Sequence, residues 1–302
     1  LQLAVLLEVS AYPKPGNVHR TADFQETRYE HFLASAVALA PSFRNATQKG
    51  VLMAQGKINP GELEMGKIIK DAVESVKTWQ SGGNTLLGTV TLLTPIAAAA
   101  GITLNKKPFS ISELRKNIRL VVGSTTPIDA VNFYDAISIA KPGGLGKAPK
   151  LDVTDSTSEQ KILRDSVTLF DVFKISSPWD SISSEWVNNY SITFDTGYSY
   201  FVEVLEKTND VNIATVHTFL RILSEVPDTL VARKLGLARA KEISSQAKEV
   251  IEAGALTTRK GREKLFQFDN KLRDAKHRLN PGTTADLTAV VLAVAVLDGY
   301  RP

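Results

Sequence analysis

Along most of this chain apolar residues recur at the three-to-four-residue spacing of a helix face, and almost nowhere at the alternate-residue spacing of a half-buried strand. Leu63, Ile69, Val73 and Val76 keep that spacing behind Pro60-Gly61-Glu62, where proline and an early acid both favour a helix start. Ser110 and Glu113 make a capping-box pattern ahead of LRKNIRLVV, and Pro127 opens PIDAVNFYDAISIA, which the glycines of KPGGLGK should stop. Helices are expected over 158–175, 210–226, 228–253, 257–278 and 283–297. Residues 179–200 are aromatic and β-branched enough for strands, but helical continuity on both sides assigns them to helix. The stretch 86–104, LLGTVTLLTPIAAAAGITL, has roughly the ~20 residues a membrane span needs. Its threonines, glycines and proline, and the lack of a comparable second segment, predict a buried core helix instead. No repeat or long linker interrupts the series, the nearest to a hinge being the polar loop 145–159. The expectation is an all-α protein: a single-domain multi-helix bundle over 1–302.

Composition narrows the chemistry. The net charge of +4 is a small excess of 36 basic over 32 acidic residues spread along 302 positions. No Lys/Arg block is interleaved with aromatics, so nucleic acid is not an expected partner, whereas anionic small molecules are mildly favoured. The absence of cysteine removes disulfides, thiolate metal sites and a cysteine nucleophile, and fits a cytoplasmic protein. Four histidines argue against a histidine-rich zinc site. The opening LQLAVLLEVSAYP is too short to span a bilayer and lacks the flanks of a signal peptide, so it is read as a first helix and no membrane partner is expected. A homo-oligomer is compatible with everything above.

Four glycine-containing stretches punctuate the helices: AYPKPGNVHR at Ala11, GGNTLLG at Gly82, KPGGLGK at Lys141 and NPGTTADL at Asn280. Asn84-Thr85 and Thr283-Thr284 are placed to cap the helices that follow. Glycine-rich helix starts expose backbone N–H groups at the positive end of the dipole, which suits phosphate, and Lys14, Lys141 and Lys147 can add charge to the same anion. Each stretch taken alone is also ordinary loop grammar. The acids Glu8, Asp23, Asp228 and Asp286 lie in or beside these turns. Single scattered carboxylates suit Mg²⁺, which takes one or two of them together with water and phosphate, although Asp228 and Asp286 can equally serve as helix-start acids. Glu8 stands alone on an apolar helix, where an unpaired carboxylate is costly to bury. Of the histidines, His19 sits in the opening turn, whereas His31 and His217 lie on helices.

Taken in order, E-V-x-A-x-P-K-P-G-N-V from Glu8, D-x7-H-F from Asp23, G-G-N-T at Gly82, P-G-G-L-G at Pro142, D-T-L-V-x-R-K at Asp228 and N-P-G-T-T-A-D-L at Asn280 resemble the triphosphoribosyl-dephospho-CoA synthase family from end to end. The resemblance implies a pentosyltransferase that moves the triphosphoribosyl group of ATP to dephospho-CoA and releases adenine. It implies ATP as a substrate, with Mg²⁺ to neutralise the triphosphate. Lys14, Gly16, Asn17, Gly82, Gly83, Asn84, Thr85 and Thr284 would contact phosphates, with Arg233 pairing with one of them. Asp23 and Asp286 would hold metal or act on the attacking hydroxyl, and Glu8 and Asp228 are second choices for acid or base. The chain departs from the family's usual pattern at Asn17-Val18-His19, where Leu-Val-Asp is common, at Leu86, where histidine follows G-N-T, and at Thr283-Thr284, where Gly-Ser is common.

Overall fold

A computed structural model describes residues 1–104 and 109–302. Among these residues all extended regular structure is helical; the one β-type pairing is an isolated bridge between His19 and Ala22. The chain opens with α1 (Gln2–Ser10) and α2 (Tyr29–Ala38) and then falls into two compact units, one made of residues 1–2 and 34–190, the other of 3–33 and 191–302.

The first unit holds α3 (Ala40–Ala54), α4 (Met65–Trp79), α5 (Leu87–Leu104), α6 (Ile111–Gly123), α7 (Pro127–Ala140), α8 (Ser158–Arg164), α9 (Leu169–Ser176) and α10 (Ser181–Val187). Its centre is α5, the long apolar segment, buried from Thr89 to Thr103 and packed on α3, α4, α6 and α10. The expected core helix is therefore observed. Its polar side chains turn inward on the helix itself: Thr91, Thr94 and Thr103 donate to the carbonyls of Leu87, Val90 and Ala99 at 2.7–2.8 Å. Pro95 has no N–H to give the carbonyl of Thr91, four residues earlier. The Trp186 indole fills that vacancy at 3.2 Å, and the Tyr190 hydroxyl donates to the next carbonyl, Leu92, at 2.9 Å. Two of the aromatics of 179–200 thus serve α5, and the stretch is helical as expected, with α10 in this unit and a π-helical turn at Ile192–Tyr198 in the other. α3 and α5 approach backbone to backbone: a Cβ on Gly50 would lie 2.0 Å from the Ala98 oxygen, and one on Gly101 would lie 2.2 Å from that of Thr47.

α7 covers the predicted span, opened by a Thr126–Asp129 capping box whose Asp129 also accepts from the Gly66 N–H at 2.8 Å. The helix expected over 158–175 is two. Ser166 takes a left-handed φ of 54°, and Thr168 and Asp171 start α9 with a fresh capping box.

The second unit contains most of α1, a π-helical turn at Ile192–Tyr198, α11 (Ser199–Thr208), α12 (Val211–Glu225), α13 (Thr229–Leu235), α14 (Leu237–Glu252), α15 (Arg259–Leu272) and α16 (Gly282–Leu297). Val216, Phe219 and Leu223 of α12 pack with Ile243 and Ala247 of α14 and Phe268 of α15. α16 is buried continuously from Leu287 to Ala295. The helix expected over 228–253 breaks at Gly236, whose φ of 90° no helix accepts, and the one expected over 257–278 ends at Leu272. α16 starts at Gly282 and is not capped by Thr283 or Thr284, contrary to the expectation from sequence. Its cap comes from a residue 56 positions away.

Candidate active site

That residue is Asp228. It accepts from the Val231 N–H at 3.0 Å, starting α13, while its other oxygen takes the Thr284 N–H at 2.8 Å and the Thr284 hydroxyl at 2.9 Å. Both Thr284 donors, expected on a phosphate, are thereby committed to a carboxylate. Burial pushes the Asp228 carboxyl above its ordinary value, and these hydrogen bonds together with the Arg233 charge oppose the rise.

The PKPGN turn lies in the same unit and is held at every step. The Tyr12 backbone exchanges two hydrogen bonds with the Asn212 amide, at 2.8 and 2.9 Å. Lys14, 1% exposed, is hydrogen-bonded to the buried Glu8, so the lone acid of α1 has a partner after all. Burial raises the Glu8 carboxyl and lowers the Lys14 ammonium, and their mutual attraction opposes both shifts; Asp286 also favours the charged lysine. Glu8, Lys14 and Asp286, three residues singled out in the sequence, therefore share one electrostatic neighbourhood. The Gly16 N–H donates to Asp269 at 2.9 Å, and the Asn17 amide donates to the Pro281 carbonyl at 3.4 Å.

Asp269 and Arg273, four apart at the end of α15, escape a motif-based reading of the sequence. Arg273 pairs with Asp269 at 3.1 Å, donates to the Asn17 carbonyl at 2.8 Å and lies 2.9 Å from His19 Nε2. On the other side of the ring, Nδ1 accepts from the Thr21 N–H at 3.4 Å and lies 3.1 Å from the Thr21 hydroxyl, while Nε2 also lies 3.6 Å from an Asp269 oxygen. His19 is neutral. Burial holds its pKa below the ordinary value against the pull of Asp269, with Arg273 and Lys14 adding to the depression. Burial works against the Asp269 carboxylate, but His19, the Gly16 N–H and Arg273 outweigh it and keep that pKa low.

His217 is a second buried ring, accepting from the Leu256 N–H at 3.2 Å, with its pKa lowered by burial. Such histidines bind protons more readily unfolded than folded. Stability should be full above about pH 6.5, the unfolded value, and decline as pH falls below it, with a further loss below about pH 4 as Asp269 is protonated. Urea midpoints at pH 7.5 and 5.5 check this; His19→Asn should reduce the difference and leave the share of His217.

The remaining candidates have other surroundings. Asp23 is exposed, and one of its oxygens accepts from the Tyr29 N–H at 2.7 Å, capping α2. His31 Nδ1 accepts from the Arg28 N–H at 3.0 Å, a local turn. Gly82, Gly83, Asn84 and Thr85 belong to the first unit. There Asn84 caps α5 through the Leu87 N–H at 3.1 Å, as expected, and the Thr85 hydroxyl pairs with that of Ser35 at 2.8 Å. Among the described residues no three His, Cys, Asp or Glu side chains converge as a metal cage.

A profile of the family described as CitG: ATP:dephospho-CoA triphosphoribosyl transferase matches residues 1–302. A protein of Malonomonas rubra named a probable 2-(5''-triphosphoribosyl)-3'-dephosphocoenzyme-A synthase is 25% identical over 99% of this chain and 86% of its own length. The 2-(5''-triphosphoribosyl)-3'-dephosphocoenzyme-A synthase of Klebsiella pneumoniae is 36% identical over 30% of this chain, a match that spans 29% of that relative. In fold, the chain is similar to a crystal structure from Archaeoglobus fulgidus provisionally assigned as a triphosphoribosyl-dephospho-CoA synthase, with a TM-score of 0.66 and 22% identity over 89% of this chain and all of that one. The helical fold and these matches together define an all-α transferase. The chain belongs to the ATP:dephospho-CoA triphosphoribosyl transferase family.

Proposed function

We propose that this protein transfers the 5-triphosphoribosyl group of ATP to the ribose 2′-hydroxyl of 3′-dephospho-CoA. The match of the whole chain to the family carries this assignment. In the reaction the C1′–N9 bond of ATP breaks, a bond from the 2′-oxygen to C1′ forms, and adenine leaves with the proton that the hydroxyl loses. Breaking a bond from a sugar carbon to its leaving group passes through an oxocarbenium-like state, which a nearby carboxylate stabilises while a second accepts the hydroxyl proton. Asp286, partly exposed beside the Glu8–Lys14 pair, is the better placed of the acids for one of these roles. The PKPGN turn is buried, with Lys14 held by Glu8 and the Gly16 and Asn17 N–H groups given to Asp269 and the Lys14 carbonyl. Contrary to the expectation that Lys14, Gly16 and Asn17 contact phosphates, it would act as a rigid wall beside them.

Mg²⁺ fits this donor set as an ion that arrives with the triphosphate. It needs one or two carboxylates, with water and phosphate completing its shell, and the described residues offer separate acids rather than a cage. Asp23 and Asp286 would hold it, and it would neutralise the phosphate charge.

Leu86 favours a second possibility. Where the family's usual pattern has histidine, this chain has a buried leucine, so the acceptor could be a different coenzyme with the same donor. Purified protein with Mg-ATP is expected to release adenine only when dephospho-CoA is added, together with a triphosphoribosyl adduct seen by mass spectrometry. Adenine appearing with another coenzyme alone would move the acceptor; no adenine with any coenzyme would overturn the transferase assignment.

A further inference from the structure

The first unit contains a cavity of about 440 Å³ between α4, the start of α5 and the end of α7. Its apolar wall is formed by Val73, Val76, Leu86, Val90 and Ile139. Its polar side is formed by Lys77, Lys141, Asn84 and the backbone of Gly83. Two of the glycine stretches singled out in the sequence, GGNTLLG and the Lys141 start of KPGGLGK, thus meet at one concave surface, although Asn84 and Lys141 lie 57 positions apart. Both lysines are exposed, and neither has an acidic partner among the described residues.

The turn beside them has a fixed shape. Gln80 accepts from the Gly82 N–H and donates to the Gly83 carbonyl at 2.9 Å, and Gly83 adopts a left-handed φ of 76°. A Cβ built on Gly83 would meet nothing within 4 Å, so this backbone is open to whatever enters. Lys141 is also left-handed, at φ 48°, closing α7 through its N–H to the Ile137 carbonyl at 2.9 Å.

We infer that this cavity seats the adenosine 5′-phosphate portion of a substrate, the base against the valine, leucine and isoleucine wall and the phosphate between Lys77, Lys141 and the Gly83–Asn84 backbone. The volume falls within the few hundred to about 1,000 Å³ typical of small-molecule sites, with an apolar lining and few polar groups. Two unpaired ammonium groups at one mouth suit a doubly charged phosphate, and a flat base suits a wall with no buried charge. Adenosine 5′-phosphate is shared by ATP and dephospho-CoA, so the inference rests on the proposed transferase activity only for its choice of ligand.

The test uses the full chain and AMP as the probe. AMP should bind in titration calorimetry, and Lys77→Glu with Lys141→Glu should weaken it at least about 10-fold while leaving the melting temperature unchanged, both side chains being exposed. Photolysis of 8-azido-AMP should label peptides within 73–90 or 139–141. The same double variant then separates the sources: a loss confined to ATP identifies the donor, and a loss confined to dephospho-CoA identifies the acceptor. Adenosine, which lacks the phosphate, should bind the variant as it binds the wild type. Unchanged AMP affinity in the double variant, or no label in either segment, would overturn the inference. Adenine release by the wild type is read separately, so AMP binding without turnover would sink the reaction and leave the cavity assignment standing.

Discussion

Lys14→Ala is expected to cost about 3–5 kcal/mol of folding stability, the usual penalty for removing one partner of a buried ion pair. Lys14 is almost wholly enclosed, and its partner Glu8 is enclosed with it, so the truncation leaves a carboxylate with neither water nor a cation. In Glu8→Leu with Lys14→Met no ion is stranded, and most of the lost stability should return, because apolar replacement of both partners is often close to neutral. Urea denaturation of the wild type, the single variant and the double variant distinguishes these outcomes. A single variant as stable as the wild type would mean that the pair is not buried in solution. The double variant also has a functional use: if it folds but releases no adenine, the pair contributes to the reaction and not only to the fold.

Gly16→Ala should be nearly as damaging, at roughly 2–5 kcal/mol. A left-handed conformation costs a side chain about 1–2 kcal/mol, and overpacking typically adds about 1–3 kcal/mol. Gly16 has both problems: its φ is 70°, and an added Cβ would lie 2.7 Å from the Leu272 Cβ and 3.3 Å from Pro281 Cδ. A Cβ on α15 cannot swing away, so either the turn or the helix must shift, and the Gly16 N–H would leave Asp269. Gly83→Ala is the control. It has a similar φ of 76° but open space around the new atom, so only the conformational cost of about 1–2 kcal/mol applies. Equal midpoints for the two variants would contradict the packing described for the PKPGN turn.

Much of this arrangement is visible in the sequence where the signal is local. Pro127 and the KPGGLGK glycines bracket α7, and threonine, glycine and proline within an apolar run mark α5 as a core helix. The turns PKPGN and NPGTT are conspicuous because glycine and proline have few uses outside such places. What stays hidden depends on distant contacts. Asp269 and Arg273 look like one more helical ion pair among several, such as Lys67–Asp71 or Arg259–Glu263. Only burial separates them: the Asp269 and Arg273 side chains are 9% and 20% exposed, against 40% and 53% for Asp71 and Lys67. Likewise the sequence places Thr283 and Thr284 where a cap belongs, but the carboxylate that performs the task comes from Asp228, and nothing local announces it. The breaks at Ser166 and Gly236 fall inside patterns that remain periodic across them, so periodicity alone runs the helices together.

The indole of Trp186, donating to the carbonyl that Pro95 leaves open, gives the protein a built-in optical probe. All three tryptophans, Trp79, Trp179 and Trp186, belong to the unit of residues 34–190, and the other unit has none. Two of the three are already half in water, so a change in emission on denaturation comes mainly from Trp186, which moves from an enclosed, hydrogen-bonded site into solvent. Tryptophan fluorescence therefore follows the melting of one unit, while circular dichroism follows both. Midpoints that differ between the two signals would give each unit its own stability without cutting the chain.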